Sequence, residues 1–166
     1  MRTSFGCIFW GLIFNLINIS INGFDLLPNG IGYLLIAWGA SQLVAQSAKF
    51  ATASALSTVL ILVWLVRFAG DIEAVWAHYI VSVILNVTMY WFLLGGIIDF
   101  AMARERTDLA ERAANRRIYY AAIMAISVLL PAIAPVAPLV IILVIAGVVV
   151  SIMILHLVYR VRYELA

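Results

Sequence analysis

Three asparagines, Asn15, Asn18 and Asn22, share an otherwise apolar stretch with Gly11, at spacings of four, three and four. On an α-helix these positions fall within about 60° of one another, on one face. Such a stripe offers amide donors and acceptors to a polar ligand, to an ion or to a neighbouring helix. Hydrogen bonds between helices account for it without any ligand, and the two roles are compatible. A second group lies between Val75 and Ala103. His78, Ser82, Met89 and Gly96 form one stripe, with Asn86 and Asp99 at its edges. Asp99 falls about one turn from the end of that segment, and His156 lies at a similar depth in the last apolar run. A carboxylate and an imidazole at one level can relay a proton or pair with each other. The alternative is that Asp99 meets a nearby arginine such as Arg104. We therefore expect a ligand set of Asn15, Asn18, Asn22, Asp25 and Asn86, with Asp99, His156 and His78 as proton-linked groups.

Other chemistries find no footing. Two histidines and one cysteine, Cys7, lie far apart in sequence, so no metal site and no intramolecular disulfide is expected. There is no His-Glu-x-x-His, no Gly-x-Ser-x-Gly and no phosphate-binding loop. Asp25, Asp71, Glu73 and Asp99 are the candidate acids for an intramembrane lipid-modifying enzyme, but they are scattered. No cofactor is expected.

The elements that position these groups follow from the solvent. Of 166 residues, 66% are hydrophobic and 11% charged, against roughly 25% charged in soluble domains. The mean hydropathy is +1.13. Too little polar surface exists to face water, so the expected fold is all-α, a polytopic bundle of transmembrane helices forming one domain. Apolar runs and breakers divide the chain into six helices, about 5–21, 31–46, 50–69, 75–103, 118–134 and 139–159. Asn, Gly and Pro between residues 22 and 30 mark the first loop, and Pro131, Pro135 and Pro138 mark the last. Gly6-Cys7 lacks a preceding apolar run and no small-x-small site follows the first helix, so neither lipidation nor signal cleavage is expected there.

Lys and Arg set the orientation. With the loop carrying Arg104, Arg106, Arg112, Arg116 and Arg117 inside, Arg2, Lys49, Arg160 and Arg162 also fall inside, and Arg67 alone falls outside. Both termini are then cytoplasmic. The net charge of +2 sits at helix ends, which points to anionic lipid headgroups rather than nucleic acid. Gly32 and Gly39, one heptad apart, are read with Gly11 as helix-packing positions against the asparagine stripe. The tryptophans and the tyrosines Tyr33, Tyr79, Tyr119, Tyr120, Tyr159 and Tyr163 are read as interfacial belts, the other reading being an aromatic ligand cage.

The segment from Gly23 to Ile36 contains Asp25-Leu26-Leu27-Pro28-Asn29-Gly30-Ile31-Gly32-Tyr33-Leu34-Leu35-Ile36. It resembles a pattern in small uncharacterised bacterial multi-pass membrane proteins, in which an Asp, two apolar residues and a Pro lead into Ile-Gly-Tyr. Asn29 stands where that pattern usually has an acid, and Gly30 where it often has a bulky residue. The resemblance implies the bacterial cytoplasmic membrane and carries no activity. The residues themselves admit three functions. The first is a small transporter or channel with a polar pocket between helices one, two and four. The second is a non-catalytic subunit, sensor or assembly partner, as a homo-oligomer or with another membrane protein. The third is the lipid-modifying enzyme.

Overall fold

The computed structural model describes the chain except residues 18–19, 22–23, 26–27, 70–74, 134–136 and 166, and the side chains of 18–28, 67–76, 130–137 and 166. Six helices follow in order: α1 (Arg2–Leu16), α2 (Pro28–Ser41), α3 (Ala48–Ala69), α4 (Val75–Met102), α5 (Thr107–Ile133) and α6 (Ala137–Glu164). Between α1 and α2, β1 (Ser20–Ile21) pairs antiparallel with β2 (Phe24–Asp25). The fold is all-α apart from this two-residue pairing.

Among the described residues, three helices are long and apolar enough to cross a membrane: α3, α4 and α6. This is a membrane protein. At 1.5 Å per residue α1 and α2, of 15 and 14 residues, span only about 22 and 21 Å, short of the roughly 30 Å hydrocarbon core. The charges of α5 all fall in its first 11 residues, and an apolar stretch follows them.

Several helix limits differ from the sequence expectation, among them the end of the second helix, at Ser41 rather than residue 46. The first helix stops at Leu16 rather than continuing to residue 21. β-Branched Ile17, Ile19 and Ile21 alternate there with weak helix formers, and Asn22-Gly23, between the paired strands, is the dipeptide that two-residue hairpins favour. The second helix begins at Pro28, where a fixed φ suits the first helical position. The fifth begins at Thr107, so the basic segment, which the sequence reads as a helical extension of helices four and five, is largely helix. The sixth runs through Arg160 to Glu164, where the sequence suggested a tail, and an Arg160–Glu164 pair one turn apart closes it.

Each helix packs on its neighbours in the chain, and α6 returns to α1, closing a ring. The tightest seam is α1 on α2. A Cβ at Gly11 would lie 2.6 Å from the Gly32 carbonyl oxygen, and one at Gly39 would lie 2.5 Å from that of Ser4. Only glycine permits this backbone approach. Across the ring, Phe5 of α1 contacts Phe100 of α4, with centroids 5.0 Å apart, and Phe50 of α3, edge to face at 6.4 Å. All three are fully buried, with Leu43, Ile97, Leu109, Leu157 and Val161. This core lies at the end of the ring that carries the start of α1, the α4–α5 turn and the end of α6, hereafter the basic end.

That turn is built tightly. Arg106 N donates to Ala101 O and Glu105 N to Met102 O, both at 3.0 Å. This is the paired pattern of a left-handed helix terminus, and Glu105 occupies the left-handed position with φ 58°. Arg106 clasps Asp108 through two nitrogens, at 2.9 and 3.2 Å, and also pairs with Glu164. The Arg106 guanidinium holds the Asp108 carboxyl below its ordinary range.

Two expectations follow. Gly39→Ala should cost roughly 1–3 kcal/mol of stability, since backbone must move. Gly147→Ala, with nothing within 4 Å of its Cβ, should be neutral or stabilising, and melting curves in detergent compare the two. Glu105→Gly should raise the melting temperature by relieving about 1–2 kcal/mol of left-handed strain. Equal melting of that variant and wild type would refute the strain.

Candidate functional site

At the end of the ring opposite the basic end, the interior holds a partly open cavity of about 380 Å³. Five helices contribute: α1 through Asn15, α2 through Asn29 and Tyr33, α3 through Trp64, α4 through His78, Ser82, Asn86 and Tyr90, and α5 through Tyr120 and Met124. The α4 residues are spaced four apart. They form one slightly drifting stripe, which the antiparallel ring turns inward.

The cavity wall mixes amide, hydroxyl and imidazole groups with apolar side chains such as Leu60 and Val83, and among the described residues it holds no Asp, Glu, Lys or Arg. Asn86 Nδ2 donates to the Tyr33 hydroxyl at 2.8 Å and to Ser82 O at 3.2 Å. Tyr90 and Tyr120 stack, with centroids 4.3 Å apart and planes 29° from parallel. Tyr90 comes beside Asn15, yet neither the oxygen nor the nitrogen of the Asn15 amide has a hydrogen-bond partner, and both are sealed from solvent. Asn15 rests on Gly32, where any Cβ would collide with its amide oxygen. The backbone approach of α1 and α2 thus presses this side chain into the ring.

The expected residues divide into three groups. Asn15, Asn86 and His78 come together around the cavity. Asn18 and Asn22 lie outside the described residues, as does the Asp25 side chain; α1 ends before Asn18, so the one-face helical stripe stops at Asn15. Asp99 and His156 stand apart. Asp99 accepts from Lys49 Nζ at 2.8 Å and from Ser47 Oγ at 2.6 Å, which ties the α2–α3 connection to α4. Arg104, the alternative partner, lies 3.6 Å over the Phe100 ring instead. His156 is exposed on α6 and does not pair with Asp99.

Tyr33, Tyr120 and Trp64, all assigned from sequence to the interfacial belt, line the cavity with Tyr90; the three tyrosines are buried and Trp64 is half-buried. A tyrosine has an apolar body and a polar tip, so residue type alone places it equally well at an interface or over a polar interior. The legible signal was the four-residue spacing of His78, Ser82, Asn86 and Tyr90 on a long apolar helix. Among the described residues no group of His, Cys, Asp or Glu is arranged to hold a metal.

No protein-family model matches the chain, no curated protein is similar to it, and no solved structure matches its fold.

A buried amide without partners costs roughly 1–3 kcal/mol. Asn15→Leu, near in shape, should therefore raise the melting temperature. Asn86→Leu, which removes the bond to Tyr33, should lower it. Destabilisation by Asn15→Leu as large as that by Asn86→Leu would show that the Asn15 amide is satisfied.

Proposed function

We propose that this protein binds a small, uncharged polar solute in the ring cavity and passes it across the bacterial cytoplasmic membrane. One observation carries the reading: hydroxyl, amide and aromatic groups from five helices converge on a cavity inside a closed helical ring. Polar side chains at membrane depth are costly and mark ligand pathways. The volume lies at the small end of ligand pockets. The amides and hydroxyls recognise hydroxyl, amide or heteroaromatic groups, and the stacked tyrosines receive a flat or apolar face. An ion would leave its charge uncompensated by any carboxylate known at the wall, which favours a neutral solute.

In this reading all six helices cross the bilayer, with the β1–β2 segment completing the reach of the short α1 and α2. The charge pattern supports a cytoplasmic basic end, so that the cavity opens outward. The Asp25–Tyr33 resemblance supports the bacterial setting. Passage then requires Phe5, Phe50 and Phe100 to part, because they fill the ring below the cavity. His78 is the proton-linked candidate at the wall, and Asp99 anchors the gate region through Lys49.

The same aromatic plug favours a second reading, in which the protein senses or presents the solute without passing it, as a subunit of a larger assembly.

A thermal-shift screen of neutral polyols, amides and heteroaromatic compounds against the detergent-purified protein separates these outcomes. We expect at least one class to raise the melting temperature of wild type and not of Asn86→Leu. Uptake of that compound into proteoliposomes marks a transporter, and binding without uptake marks the second reading. Equal response of wild type and Asn86→Leu to every class would sink both.

A further inference from the structure

At the basic end α5 turns an arginine toward the core. Leu109, Ala113, Arg116 and Tyr120 recur at spacings of four, three and four, and all four are buried. They lie on the face that meets the rest of the bundle. Arg116 is only 7% exposed, and its Nη1 is sealed from solvent with no acceptor. A guanidinium in that position forfeits hydration and gains nothing in return. Burial, and after it the nearby charges of Arg112 and Arg160, make the Arg116 proton easier to lose than usual. Arg112 is one turn before Arg116 on α5, and Arg160 reaches in from α6.

Two carboxylates at this end are already engaged, while Glu105 and Glu111 are exposed and form no ion pair among the described residues. Asp108 is held by Arg106, and Glu164 by Arg106 and Arg160. Among the described residues no carboxylate pairs with Arg112 or Arg116. Within the ion-paired cluster, four guanidinium groups, on Arg106, Arg112, Arg116 and Arg160, stand against the two carboxylates of Asp108 and Glu164, an excess of two positive charges. A phosphomonoester carries about −1.5 to −2 at neutral pH, with three acceptor oxygens.

We propose that Arg112, Arg116 and Arg160 form a binding site for a phosphomonoester group, with Arg116 as its buried anchor. An oxyanion seated there supplies the acceptor that Arg116 lacks and cancels the excess charge of the cluster. The planar guanidinium fork matches phosphate oxygens two at a time, which an ammonium cannot do. The group comes either from a lipid with a phosphomonoester head, entering from the inner leaflet beside α5 and α6, or from soluble phosphate. The site is separate from the polar cavity, at the opposite end of the ring, and stands whether or not a solute crosses.

The test is native mass spectrometry of the full chain in neutral detergent, titrated with phosphatidic acid or with phosphatidylcholine of the same acyl chains. Phosphatidic acid should bind at least about tenfold more tightly, given roughly 1.5–3 kcal/mol for a hydrogen bond to a charged group. Arg116→Gln should erase that preference, and Arg112→Gln should weaken it. Arg104→Gln and Arg162→Gln, at the same end but outside the cluster, should leave it intact. Millimolar inorganic phosphate that displaces the lipid identifies a site open to soluble phosphate. Preference that resists phosphate identifies the lipid as the source. Equal binding of both lipids by wild type overturns the proposal, as does equal loss in Arg104→Gln and Arg116→Gln. Arg112 is exposed, so Arg112→Gln carries the test if Arg116→Gln fails to fold; unchanged preference in Arg112→Gln also overturns it.

Discussion

The rest of the ring depends on how closely α1 and α2 approach. Gly11, Gly32 and Gly39 remove the side chains that would hold these helices apart, so that backbone meets backbone. In lipid there is little hydrophobic force between helices, and packing of this kind takes its place. The approach has two effects at opposite ends. Towards the basic end it brings Ser4 within 2.7 Å of Gln42 and seats Phe5 and Ile8 in the core. Towards the other end it presses Asn15 against Gly32 and into the interior. One seam of glycines thereby serves both the plug and the cavity wall.

Their contents differ because the facing residues differ. Near the basic end, Phe50 occupies the space left by Gly96, where an added Cβ would lie 2.9 Å from the ring. Lys49 and Arg117 lie over Gly95 in the same way, and Arg117 also stacks on Trp91 at 4.0 Å. Large side chains fill gaps made by small ones, and no room remains. At the cavity the inward residues of α4 are His78, Ser82, Asn86 and Tyr90. Polar groups of this kind arrange themselves by hydrogen-bond geometry rather than by filling volume, and space persists between them. The ring is closed at one end and hollow at the other for reasons visible residue by residue.

Much of this was legible beforehand. Six apolar segments with breakers between them indicate six helices, and the distribution of arginine groups the helix ends correctly around the basic turn. Hydropathy reports contact with lipid, however, and not helical conformation. It therefore missed the charged close of α6, where Arg and Glu favour helix without favouring lipid. It also carried the first helix past Leu16, because Ile17, Ile19 and Ile21 are as apolar as the turns before them. The antiparallel pairing of Ser20–Ile21 with Phe24–Asp25 follows α1 instead. At the site, the amides of Asn15 and Asn86 were visible as polar interruptions. Tyr33, Tyr90 and Tyr120 were not, since their inward placement depends on which helices face each other. Asp99 misled for a similar reason: its partner, Lys49, lies 50 residues away, and only the antiparallel packing of α3 on α4 brings the two together.

Among the described residues three side chains keep buried polar atoms without hydrogen-bond partners, Asn15, Arg116 and Arg117; Arg117 stacks on Trp91, and the other two mark the ends of the bundle. The Asn15 amide borders the cavity, and the Arg116 guanidinium lies in the seam of α5. Each would be cheaper as leucine, because an apolar side chain of similar reach removes the desolvation penalty and keeps the packing. Structural needs do not account for them. α1 and α2 are already locked by glycines, and the α4–α5 turn is already joined to α6 by the Arg106–Glu164 pair. A group that costs stability and supports no neighbour is the expected signature of a site whose partner arrives from outside the chain. Asn15 offers an uncharged donor and acceptor, and Arg116 a fixed positive charge. The two ends are thus chemically suited to different ligands, and neither is explained by the fold alone.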